Sequence, residues 1–358
     1  GAMIPYWRLS AYYFFYFAFV GAFSPYFTLY LQSIALSATD IALLMSLMQL
    51  MRVLAPNLWG WLAERLGMRI AIVRLSALAS LAGFSVFFLT TEFAGLFAAM
   101  ALMAFFWSAV LPLIEGLAFA HLGEASHRYG RIRVWGSVGF IVAVLALGHS
   151  LDRLPIEAVL WITMSILVGI VLCSFIVPEA PRPPLQRDAA SFGDTLRRPE
   201  VRALLGACFL MSAAHGALYV FYSIHLVDIG YDKGVVGWMW TLGVLAEIGV
   251  FMWMPRISVR FSLRAILLFS FACAVARFLM IGWGAHSLAL LLLALGVAFA
   301  AIFGRTQQMV LGEHTGTRLP VPPSLLPVFV HLALVLMLGL WIPPFLAEWY
   351  RLAARMIG

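Results

Sequence analysis

The sequence predicts an all-α integral membrane protein of about eleven transmembrane helices, counted as apolar stretches of spanning length. Three observations carry that reading. Hydrophobic residues make up 63% of the 358-residue chain and charged residues 11%. The apolar excess recurs in stretch after stretch along almost the whole length. The basic residues gather in alternate connecting segments.

A soluble domain carries about 25% charged residues. A surface this poor in charge cannot face water on all sides, and the spread of the excess excludes a soluble domain with one anchor. Spanning stretches of about 20 predominantly apolar residues lie near 9–33, 41–63, 70–91, 94–120, 132–150, 156–177, 202–229, 235–256, 265–284, 286–304 and 326–347. Lipid offers the backbone no hydrogen bonds, so each stretch is expected to be helical. Gly1 and Ala2 ahead of Met3 have the look of a cloning remnant. No cleavable signal peptide is expected, because the first apolar run is long and further spans follow it.

With the amino end placed inside, seventeen of the 23 Lys and Arg fall in inner segments and four in outer ones. That asymmetry predicts a cytoplasmic N-terminus. The net charge of +7 is then a topology signal in short loops, not a nucleic-acid surface. Two of the outer four, Arg351 and Arg355, fit poorly with eleven spans, and a twelfth would place them inside. Cys173, Cys208 and Cys273 each lie in an apolar stretch without ligand or disulfide spacing, so they read as buried thiols. No nucleotide loop, catalytic triad or metal cluster stands out; an enzyme, a cofactor and a metal are not expected.

The longest polar segment, 178–201, is rich in Pro and charge and reads as a cytoplasmic linker. It divides a bundle at 4–177 from a partial second bundle at 202–304 and a divergent tail at 305–358. Six spans, a linker and more spans is the two-half plan of facilitator-type transporters, in which solute binds between the halves at mid-membrane.

Residue motifs sharpen this. Between the second and third spans stands Gly60-Trp61-Leu62-Ala63-Glu64-Arg65-Leu66-Gly67-Met68-Arg69. It is similar to the major facilitator signature G-x-L-A-D-R-x-G-x-R, with Glu for Asp. The resemblance implies a conformational latch built on Gly60, Glu64, Arg65, Gly67 and Arg69: glycines allow close approach, and an acid beside bases forms charge-assisted bonds that break on rocking. A weaker echo, Pro255-Arg256 to Arg260 and Arg264, follows the eighth span. Pro112-Leu113-Ile114-Glu115, then Tyr129-Gly130-Arg131-Ile132-Arg133-Val134-Trp135-Gly136-Ser137-Val138-Gly139, resembles the branch holding lactose permease, nucleoside–proton symporters and phenylpropionate permeases. Arg52 through Gly60, His215-Gly216, Trp240 through Glu247, and Arg277 support the same branch. The resemblance covers about residues 4–285. It implies that Glu115 and Arg133 bind substrate and that Arg277 belongs to a proton pathway, with Glu247 less securely matched.

The residues speak without any family. Arg52, Glu115, Arg133, Glu247 and Arg277 are charges inside spans, where each costs about 2.5–3.5 kcal/mol on insertion scales. Such groups usually pair, and the pattern predicts Glu115 with Arg133 and Glu247 with Arg277. Each pair is either a structural ion pair or a solute or proton site. Arg52 has no evident partner and reads as structural. His215 is either a proton relay or a packing residue. Tyr12, Tyr16, Phe27, Tyr219, Phe221, Tyr222 and Trp240 lie on spans that line the cavity in this fold.

From about residue 287 the family pattern fails: 287–304 lacks a titratable side chain. The last span, ending Trp341-Ile342-Pro343-Pro344-Phe345, is similar to the end of antiporter-like subunits of hydrogenases and complex I. The expectation is a monomeric secondary transporter of the bacterial inner membrane. It would couple protons to symport of a small aromatic acid, sugar or nucleoside by alternating access. The alternatives are a non-transporting subunit of a redox complex and a non-functional fusion or truncation.

Overall fold

The computed structural model describes residues 4–180, 206, 215–216, 218–260, 263–284, 287 and 289. Spans expected near 286–304 and 326–347, and the divergent tail, lie outside the described residues. The chain forms two compact units, one of residues 1–185 with 223–241, the other of 186–222 with 242–358.

Six helices of the first unit are long and apolar enough to cross a membrane. They are α1 (Tyr6–Ser33), α2 (Ala38–Leu66), α3 (Arg69–Ser85, continued by a 3₁₀ turn at Val86–Phe88), α4 (Phe93–Leu122), α5 (Tyr129–Leu151) and α6 (Ala158–Ile176). Beyond them stand α7 (Leu218–Asp228), α8 (Lys233–Arg260) and α9 (Leu263–Gly284).

Local chemistry sets the helix ends. Ser37 and Asp40 close a reciprocal capping box at the start of α2, satisfying two orphan donors. Gly67 ends α2 in the left-handed region at φ 65°, and its N–H bonds the Ala63 carbonyl, a glycine-favoured C-cap. Glu179 accepts from the Ile70 N–H at 2.9 Å, so the first linker residues tie back onto α3. Pro25, Pro56 and Pro112 sit inside helices, as membrane helices tolerate when neighbours re-satisfy the backbone.

α1 is the core of the first unit. It packs along α5 and also on α6, while α4 packs on α2 and α3. Tyr12, Tyr13, Tyr26, Phe19, Phe23 and Phe27 on α1 are fully buried. By contrast, Leu50, Leu54, Leu58 and Trp61 on α2, and Leu172 and Phe175 on α6, are exposed. An apolar outside around an aromatic inside is stable in lipid, not in water.

α1 and α5 run parallel: Tyr13 meets Tyr129, Phe17 meets Arg133, and Tyr26 meets Val144. Glycine lets them touch. A Cβ on Gly21 would fall 2.6 Å from the Phe140 carbonyl oxygen. One on Gly139 would collide with the Phe14 carbonyl. Farther along, the segment 223–241 packs into the same unit. The Tyr26 hydroxyl lies within bonding distance of the Val144 and Lys233 carbonyls, at 2.9 and 3.1 Å. The Asp152 carboxylate receives the Gly234 N–H at 3.1 and 3.2 Å.

Candidate functional site

One cluster of polar and aromatic side chains in the first unit forms against a face of α1. Tyr13 and Phe17 lie four residues apart there, and Tyr129 and Arg133 lie four apart on α5. Residues at that spacing share a helix face, so two pairs oppose each other in register. The Tyr129 hydroxyl donates to Glu115 Oε1 on α4 at 3.2 Å. The Tyr13 and Tyr129 hydroxyls are 3.3 Å apart. The Arg133 guanidinium lies over the Phe17 ring, 3.9 Å from its centroid, a cation–π contact. Gly136 makes that shelf possible. A Cβ there would sit 2.6 Å from the Phe17 ring and 2.8 Å from an Arg133 nitrogen.

Glu115 and Arg133 are both half-buried and near enough to act on each other's charge. The direct ion pair that the sequence predicts is not made among the described residues. The carboxylate takes Tyr129 instead, and the guanidinium takes an aromatic face. Arg52 is exposed on α2, and its charge, with those of Glu115 and Arg133, acts on Tyr16. The Tyr16 ring stacks on Trp107 at 4.4 Å. Sequence reasoning named Arg52, Glu115, Arg133 and Tyr16 but missed Tyr13, Phe17 and Tyr129 as parts of one cluster. The four-residue step from Tyr129 to Arg133 is the signal that could have found them.

In the second unit Arg277 is fully buried, and His215 nearly so. An Arg277 guanidinium nitrogen bonds His215 Nε2. Arginine only donates, so that imidazole nitrogen is the acceptor. Phe278 meets the His215 ring edge-on at 5.5 Å, and Tyr219 and Tyr222 lie near enough to act on Arg277's charge. Arg277 thus meets histidine. Glu247 lies on α8, and its side chain is outside the described residues.

The signature residues cluster around the turn from α2 to α3. Glu64 and Arg65 are exposed, with Arg65 over the Trp61 ring at 5.3 Å. Gly67 makes the turn and Arg69 opens α3. A Cβ on Gly60 would meet nothing within 4 Å.

A family profile described as "MFS_1 like family" matches residues 6–321. The chain belongs to this family of major facilitator transporters. The match runs past residue 285, where the sequence motifs stop, into the segment read as divergent. This facilitator is 29% identical over 276 residues to a probable 3-phenylpropionic acid transporter of Escherichia coli (strain K12), covering 76% of this chain and 71% of that one. It is 30% identical over 275 residues to a maltose permease of Geobacillus stearothermophilus, covering 75% and 68%. Among solved structures, a point mutant of the nucleoside transporter NupG superimposes with a TM-score of 0.75 at 17% identity, covering 93% of this chain and 87% of that one. At that identity the likeness shows the fold alone. The facilitator is therefore a multi-pass membrane protein and a secondary transporter, not an enzyme.

Proposed function

We propose that this facilitator moves a small organic solute across the bacterial inner membrane by alternating access, as a monomer with its N-terminus cytoplasmic, and couples the movement to protons. Solute is held by Glu115 and Arg133. The observation that carries this is the Arg133 side chain. It lies half-buried on Phe17, and among the described residues it makes no ion pair or hydrogen bond. A structural arginine in a span is ordinarily spent on a protein partner. This one keeps a planar fork of donors for something else.

His215 and Arg277 are the candidate coupling residues, with Glu247 a third. His215 Nε2 accepts from Arg277, so a proton arriving at Nε2 must break that bond. Proton arrival and release of Arg277 are thereby one event. The latch at Gly60, Glu64, Arg65, Gly67 and Arg69 would act in the conformational change. The relatives named for 3-phenylpropionic acid and maltose support two of the solute classes expected from sequence, aromatic acid and sugar; nucleoside is the third. The match through residue 321 weighs against a wholly foreign segment from 287 onward.

The test is uptake of 3-phenylpropionate, maltose and uridine into proteoliposomes under an imposed pH gradient. One of them should accumulate and collapse the gradient. Glu115→Gln and Arg133→Lys should each abolish binding while the protein stays monodisperse. Normal binding in both variants removes the site assignment.

A further inference from the structure

From the Tyr13–Tyr129–Glu115 chain and the Arg133 side chain beside it, which makes no ion pair among the described residues, we infer that Tyr129 is a specificity-determining residue that biases the site toward a monoanionic solute. This inference rests on the assignment of Glu115 and Arg133 to the solute. Tyr129 has one hydroxyl proton, and it goes to Glu115 Oε1 at 3.2 Å. Its oxygen is then left to accept, so at the 3.3 Å contact Tyr13 is the donor. Tyr13 is fully buried on α1, which fixes the far end of the chain. The bonds run one way, from a buried hydroxyl through Tyr129 onto the carboxylate. They take one lone-pair site of its Oε1.

A neutral polyol needs that carboxylate as an acceptor for its hydroxyls. An anion does not. The Arg133 guanidinium carbon lies 3.9 Å from the Phe17 centroid, a contact that consumes none of the N–H donors with which an arginine docks a carboxylate through two bonds. Among the described residues Arg133 makes no ion pair. In a membrane span an unpaired charge is costly, and one bound anion pairs it. A neutral solute leaves it unpaired and must also compete with Tyr129 for Glu115.

The experiment measures uptake of three matched pairs, each an acid and its neutral counterpart: 3-phenylpropionate and 3-phenylpropanamide, maltobionate and maltose, uridine 5′-carboxylate and uridine. In the best-transported pair the acid should have the lower KM by about tenfold, the ratio one charge-assisted hydrogen bond carries. Tyr129→Phe should lower the KM of the neutral member and narrow the ratio to under about threefold, with Vmax little changed, because it restores an acceptor. Tyr13→Phe should narrow it part of the way, and it serves as the second variant if Tyr129→Phe does not fold. A preference for the neutral member, or an unchanged ratio in the folded tyrosine variants, overturns this inference alone. Uptake of none of the solutes overturns the transport reading as well.

Discussion

Phe17 contributes to Arg133 what a carboxylate would otherwise supply, a surface that holds the guanidinium without consuming its donors. A cation over an aromatic face is worth about 0.5–1 kcal/mol when exposed and about 2 when desolvated. Phe17→Leu keeps an apolar side chain and loses the quadrupole, so it should raise the KM for solute about threefold to tenfold with little effect on Vmax. Proteoliposome uptake measures this, and an unchanged KM would mean that the shelf does not orient Arg133. His215 makes a different residue-scale prediction. His215→Asn keeps a short polar side chain but carries no titrating nitrogen. It should retain solute counterflow, which needs no net proton movement, while accumulation driven by a pH gradient is lost; retained accumulation would remove His215 from coupling. The charges were legible in the sequence because an ionic side chain inside an apolar run has no bland reading as cheap as a functional one. The tyrosines were not. An aromatic on an apolar helix looks the same whether it packs or bonds, and only the facing helix decides which.

The crossing of α1 and α5 sets where these side chains meet, and it depends on glycines that differ in what surrounds them. Gly21 and Gly139 press on the partner helix's backbone, and a Cβ at either would strike a carbonyl. Gly60 and Gly116 would meet nothing within 4 Å. Gly139→Val should therefore cost the fold at least the ~1–3 kcal/mol typical of overpacking, seen as loss of the monodisperse peak in detergent. Gly60→Ala and Gly116→Ala should leave that peak intact. Gly60 also stands in the facilitator signature. If Gly60→Ala slows transport in a protein that remains fully folded, its role belongs to the conformational change. If transport too is unchanged, Gly60 has no part in the latch. Sequence spacing gave the helices themselves, since their apolar lengths match a bilayer. It did not distinguish a contact glycine from a free one, because hydropathy reports the solvent of a helix and not its neighbour.

At the scale of the whole chain, the linker at 178–201 is plain in the sequence because Pro and charge interrupt apolar runs. The packing does not divide there alone. Residues 223–241, well past the linker, cluster with the first unit, held by Asp152 on the Gly234 N–H and by Tyr26 against the Lys233 carbonyl. Gly234 and Gly237 allow that approach, since a Cβ on either would come 2.7 Å from Asp152 or Tyr26. No hydropathy pattern encodes such a tie: its partners are a carboxylate, a phenol and backbone groups scattered over more than two hundred positions. It predicts how the chain behaves once cut. With a protease site inserted in the linker, cleavage should leave two fragments that still co-purify in mild detergent, because 223–241 remains packed on α1 and α5. Asp152→Ala leaves the Gly234 N–H without its acceptor, and Tyr26→Phe removes the bonding hydroxyl, each worth about 1 kcal/mol or more when buried. The double variant should separate on cleavage at a lower detergent concentration than the parent. Its uncut form should keep the same elution volume, since the chain itself still joins the pieces. Fragments of the parent that part at once on cleavage would show that this contact does not hold the segment in place.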